Sequence, residues 1–365
     1  MVSTHRGASR ARLGNAPAAR EWTVIETLRG NPDQISVVLK KNKPQTFLGL
    51  GRASLPRTML EITVADCLRS GVTISRSVTV NDGRTYRLVT MPIIGPTGSI
   101  YAVIVWSASI IEQMPQIPKV GAMEWSPSGV LTATPAAAYL LRPPNDRPAG
   151  HTVPELLASF EDWEDKFGFF AMFEMFSLNG NSRTDEWAGS AYKRYEDGTL
   201  HKLHIAARAV GTGAQRRIRA VVCDVPTTDH PTGTDVAVAA LRAVPILPGH
   251  ALALVDLGTA FVHEWITDDP HLAGWPHHHP TYDNDGRARV AATCYDLALG
   301  QPAATVEARI RFNPLDDWID IHSQWKRLDT IRPQAILDIT PAVPHPPPIS
   351  GCSLCADLVD PRRLK

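Results

Sequence analysis

Residues 199–210 show the alternation of apolar and polar positions most clearly. His201, Leu203, Ile205, Ala207 and Ala209 fall on one face, and Lys202, His204 and Arg208 on the other. Successive side chains of a strand point to opposite sides, so a period of two predicts a strand with one buried face. Denser β-rich runs lie at 100–106, 218–225 and 334–340, a little under 120 residues apart. The approach to each run repeats as well. Asn81-Asp82-Gly83, Glu196-Asp197-Gly198 and Asn313-Pro314-Leu315-Asp316-Asp317 are turn signals, the first two in hairpin form, because Asn, Asp and Gly accept positive φ. Strands are predicted at 84–94, 199–210 and 318–328. Gly95-Pro96-Thr97-Gly98, Gly211-Thr212-Gly213 and 329–333 then turn the chain into the last strand. Each of three units thus closes with a three-stranded antiparallel meander.

A sheet with one apolar face must cover it, and upstream helices are the expected cover. Leu60, Val64 and Leu68 make a helical stripe that stops at Gly71, and Val290, Cys294 and Leu297 make one that stops at Gly300. Thr134-Pro135 opens a helix with Pro at its first position. Thr152-Val153-Pro154-Glu155 is a capping-box signature. The expected fold class is α+β: three tandem modules at 21–115, 116–228 and 229–342, each an antiparallel sheet covered by helices. A basic arm, 1–20, and a Pro-rich tail, 343–365, flank them.

Charge narrows the partners. The chain of 365 residues has 37 Lys+Arg against 37 Asp+Glu, a formal net charge of zero. That argues against nucleic-acid coating and against polybasic membrane binding, which both need excess cations. The longest apolar run, 99–111, is short of the roughly 20 residues a membrane-spanning helix requires. The first 20 residues lack the apolar stretch of a secretory signal. Five scattered cysteines, Cys67, Cys223, Cys294, Cys352 and Cys355, do not read as a disulfide framework. A cytoplasmic protein without membrane insertion is the expectation.

The middle unit resembles a PAS domain. The resemblance is carried by 128–141, where a Gly turn and short strand lead into an Ala-rich helix. It continues through Gly150-His151-Thr152-Val153-Pro154-Glu155-Leu156-Leu157 and the meander 192–225. The third unit resembles a second PAS domain, chiefly through 305–340, and the first fits a PAS or a GAF module equally. In order, the chain is similar to an actinobacterial family of stand-alone tandem PAS/GAF sensors. That resemblance implies a non-catalytic cytoplasmic sensor that binds a small molecule or protein partner, self-associates as a homodimer, and acts in trans. The cofactor and the ligand stay unidentified. No Gly-rich phosphate loop, kinase catalytic loop or cyclase motif supplies an output.

Several residue groups invite chemistry. Phe167, Phe169, Phe170, Phe173 and Phe176, with Met172 and Met175, form an aromatic stretch. Phe169, Phe170 and Phe173, with Leu203 and Ile205, are candidates to line a ligand pocket; ordinary core packing is the plainer reading. His277, His278 and His279 are consecutive imidazoles that a metal-dependent enzyme would use, with His263, Asp268 and Asp269 nearby in sequence. Adjacent loop side chains diverge, so His277 and His279 are weak metal candidates. Cys352 and Cys355 form one C-x-x-C, half a structural zinc site. His151 precedes its helix and His204 is expected to face outward, so neither suits a haem. Glu155, Glu161, Asp162, Glu164 and Asp165 read as a solvated acidic face. A purely structural interaction scaffold competes with the sensor reading.

Overall fold

The computed structural model describes residues 19–31, 34–52, 57–79, 85–142, 150–173, 184–212, 215–226, 236–266, 280–312, 315–328 and 332–342. They build three antiparallel sheets. The first holds β1 (Ala19–Glu26), β2 (Ser36–Lys40), β3 (Lys43–Leu48), β4 (Ile74–Thr79), β5 (Thr85–Ile94) and β6 (Ile100–Ser109). Its order is β3-β2-β1-β6-β5-β4. The second holds β7 (Val120–Trp125), β8 (Val130–Ala133), β9 (His151–Thr152), β10 (Asp162–Trp163), β11 (Glu186–Arg194), β12 (Leu200–Val210) and β13 (Arg217–Val225). Its order is β10-β11-β12-β13-β7-β8-β9. The third holds β14 (Ala251–Asp256), β15 (Phe261–Trp265), β16 (Thr281–Tyr282), β17 (Ala303–Arg311), β18 (Ile319–Leu328) and β19 (Gln334–Pro341), in the order β15-β14-β19-β18-β17-β16. Each sheet ends in the predicted meander, and its last strand pairs with its first: β6 with β1, β13 with β7, β19 with β14.

The α+β expectation is overturned. Nineteen strands stand among the described residues beside six α-helices: α1 (Arg57–Ser70), α2 (Pro135–Leu141), α3 (Val153–Ala158), α4 (Lys166–Phe170), α5 (Val236–Arg242) and α6 (Asn284–Ala298). Four of the six are short, and the architecture is sheet-dominated rather than a PAS/GAF layout. The physical reason lies in the front half of each unit, where helices were expected as the cover of the sheet. β1, β2 and β7 are nearly continuously buried, so their residues show no alternation to betray them.

The first two sheets belong to one compact unit and the third to another. In the first unit, Leu60, Val64 and Cys67 of α1 pack on Ile25, Val37, Leu88, Val103 and Val105. The other face of the first sheet meets the second sheet. Val24, Ile104, Trp106 and Ala108 share a core with Val120, Ala122, Ala206, Val221 and Cys223. Helix cover was expected there; a second sheet takes its place. Beyond the second sheet lie α2 and α4. Thr134 caps α2 by accepting from the Ala137 N–H, and Thr152 forms the predicted capping box with Glu155. Gly121 of β7 is required here, because a Cβ would sit 2.3 Å from Ala137 N.

The third sheet carries its main core on one face and a smaller cluster on the other, where Leu254 and Ile266 pack with Leu241, Ile246, Leu252, Leu328 and Ile336. Val290, Cys294 and Leu297 of α6 join Val306, Ala308, Ile310, Ile321, Trp325 and Leu337 in one core. On β17 the alternate residues Thr305, Glu307 and Arg309 are exposed.

Candidate functional site

The site is a cavity of about 660 Å³ in the first unit. Met91, Pro92 and Ile93 of β5 and Ile104 of β6 form one wall. Ala136, Tyr139 and Leu140 of α2 contribute another part of the lining. Gly71, Val72 and Thr73 after α1, and Ile117, Pro118, Lys119 and Val120 entering β7, complete it. Gly71 ends α1 at φ +68, which lets the chain turn away and present Val72. Val72, Ile117 and Tyr139 are exposed by 57%, 40% and 55%, so the rim is apolar and wet. Its size falls within the range of about 300–1,000 Å³ usual for small-molecule sites, which are apolar with a few placed polar groups.

Lys119 carries the only charge among these lining residues. Its Nζ lies 5.6 Å from the Tyr139 ring centroid and 3.9 Å from Asp224 Oδ2. Asp224 is engaged elsewhere: its Oδ1 lies 3.1 Å from His201 Nδ1, and its backbone N–H donates to the Lys119 carbonyl at 3.0 Å. Arg142 stands 5.4 Å from the same Tyr139 ring and 3.9 Å from that of Tyr195. Tyr195 stacks on His201 at 3.9 Å, and burial pushes its hydroxyl up to about 12. Two cations thus flank the Tyr139 end of the cavity.

The predicted pocket residues lie elsewhere. Phe169, Phe170, Phe173, Leu203 and Ile205 are all buried in the second sheet's own core. Phe169 sits at its centre, with ring centroids 5.2 Å from Trp125, 5.2 Å from Trp163, 5.2 Å from Phe173 and 5.0 Å from Trp187. None of the five lines the cavity above. Met175, Phe176, Asp268, Asp269, His277, His278, His279, Cys352 and Cys355 lie outside the described residues. Among the described residues, no three His, Cys, Asp or Glu side chains gather as a metal would need. His263 is buried, with Nε2 3.1 Å from Gln334 Oε1.

His204 corrects an expectation. It does face away from the second sheet's own core, yet that side is covered by the first sheet. It is buried, with Nε2 3.3 Å from the Gln45 carbonyl oxygen, and desolvation lowers its pKa. The acidic stretch is used structurally. Glu155 and Asp165 cap α3 and α4, Glu161 pairs with Arg194, and Glu164 pairs with Lys202. Lys119, Tyr139 and Ile117 were not singled out from sequence. The available signal was Ile110, Ile111, Met114 and Ile117 recurring in a Pro-containing connector, where polar residues are the norm.

Residues 21–116 match the family described as Rv3651-like, N-terminal, a span that covers the first sheet. No curated protein matches the sequence. The crystal structure of an uncharacterised protein from Mycobacterium tuberculosis shares the fold at TM-score 0.66 and 19% identity, covering 89% of this chain and 97% of that one. An RNA-binding Light-Oxygen-Voltage receptor aligns at TM-score 0.21 and 9% identity, covering 61% of this chain and 95% of that one. The periplasmic sensory domain of the Campylobacter jejuni chemoreceptor Tlp1 aligns at TM-score 0.17 and 9% identity, covering 57% and 73%. Scores this low carry no argument, and the expected kinship with tandem PAS/GAF sensors draws no support from them. What the comparisons do show is a fold shared with the mycobacterial protein and a first sheet similar to the Rv3651-like N-terminal family.

Proposed function

We propose that this chain is a non-catalytic sensor that binds a small, largely apolar molecule in the cavity lined by the first sheet, α2 and the entry to β7. The observation that carries the reading is that cavity: about 660 Å³, mostly apolar in its lining and open at an apolar rim. A molecule bound there touches β5, β6, α2 and β7 at once, so its affinity depends on how these elements stand. Such differential contact is what a sensor requires. The output is passed in trans to a protein partner, and the chain self-associates as a homodimer. The setting is the cytoplasm, a reading supported by the buried free thiols of Cys67, Cys223 and Cys294. Among the described residues no helix is long and apolar enough to cross a membrane.

The test is native mass spectrometry of the purified chain, with thermal-shift screening against apolar small molecules. Ala136 is exposed and lines the cavity, so Ala136→Trp fills it without entering the core. The expected result is a bound mass or a stabilising compound that Ala136→Trp abolishes. Equal binding by the variant would place the ligand elsewhere and sink the proposal.

A further inference from the structure

We infer, building on that reading of the cavity, that its ligand is an amphipathic anion: an apolar chain ending in a carboxylate, with the carboxylate at Lys119. Three observations converge. The lining is mostly apolar, with Met91, Ile93, Ile104, Val120 and Leu140 offering contact to an apolar body. The single charged lining side chain is a lysine, and it stands at the rim, 48% exposed, where a head group would remain partly hydrated. Its nearest carboxylate, Asp224, is at 3.9 Å and is also engaged by His201, so the ammonium keeps donors to spare. Arg142, 5.4 Å from the Tyr139 ring, adds a second positive charge. A cationic head group would meet two like charges there. A neutral hydroxyl would gain no charge-assisted hydrogen bond.

The experiment is calorimetric titration of the full chain with decanoate, 1-decanol and decylamine, each below its aggregation concentration. Decanoate is expected to bind about fivefold more tightly than decanol, the size of a partly exposed ion pair, and decylamine most weakly. Lys119→Met keeps the alkyl stem and is expected to bring decanoate and decanol level. Lys119→Glu is expected to reverse the order in favour of decylamine. Raising the salt concentration shrinks the wild-type preference. Equal binding of acid and alcohol by the wild type, or a preference that survives Lys119→Met, overturns the inference while leaving a ligand cavity in place. Recruitment to phosphatidylglycerol vesicles without binding of free decanoate also overturns it. If none of the three probes binds, and Ala136→Trp behaves as wild type, the cavity reading itself fails.

Discussion

Arg208 and Glu26 are 182 positions apart in sequence, and their side chains meet between the first and second sheets with Nε 2.9 Å from Oε1. Glu26 is fully enclosed. Its Oε2 accepts from the Leu28 N–H at 3.0 Å, and Ser36 donates to Oε1. Arg208 also donates to Ser36 Oγ at 3.1 Å, pairs with Glu186, and lies 4.1 Å over the Phe47 ring. Removing one partner strands a buried charge. Arg208→Ala is expected to destabilise the protein by about 3–5 kcal/mol, and Arg208→Met combined with Glu26→Leu by less than Arg208→Met alone. Urea denaturation of the three variants checks this. A double variant at least as unstable as Arg208→Met alone would show that the two groups do not act together.

Phe169 touches Trp125, Trp163 and Trp187. Phe169→Ala leaves a void that the rigid neighbours cannot close, at an expected cost of about 3–5 kcal/mol. Tryptophan emission is the more specific readout, because three indoles lose the same neighbour. An unchanged spectrum in the folded variant would contradict the packing described.

Lys193 is buried, donating to the Arg142 carbonyl at 2.8 Å and Ser159 Oγ at 3.0 Å. Desolvation first, and then the Arg142 charge, lower its pKa from 10.5 to about 8. Between those values the unfolded chain holds a proton that the native chain has released, so stability from this group rises with pH. Below about 8 the cost of burying the charge is present in full. Lys193→Met removes the titration. The stability difference between wild type and variant is therefore expected to move in favour of wild type from pH 8 to 10.5, measured by denaturation at matched pH. A flat difference would refute it.

His204 predicts a slope of the same sign at lower pH. Its pKa lies below the ordinary 6.5 because burial disfavours the imidazolium. As pH falls through 6.5 the unfolded state takes up a proton before the native state does, so stability falls. His204→Leu is expected to flatten that loss. A variant that loses as much stability as wild type on acidification would remove His204 from the account.

Local chemistry explains which parts of the fold were legible. β12, β13, β18 and β19 begin and end within about two residues of their predicted limits, because hairpin residues and alternation act over a few positions. The stripes of α1 and α6 and the caps at Thr134 and Thr152 are local in the same sense. The polar side of β12 was visible as Lys202, His204 and Arg208. What covers it was not, since the partners of Arg208 and His204 come from the first sheet. The unbroken burial along β6 is the signature of a strand with both faces covered. The cavity was invisible for a related reason: its walls come from elements that only the packing of two sheets brings together.

That shared core also decides how the first unit can be divided. The family match at 21–116 ends in a connector, where a chain can ordinarily be cut. Cut there, the first sheet would open Val24, Ile104 and Trp106 to water, and the second would open Val120, Val221 and Cys223. The two sheets are therefore expected to unfold as one cooperative unit rather than as separable halves.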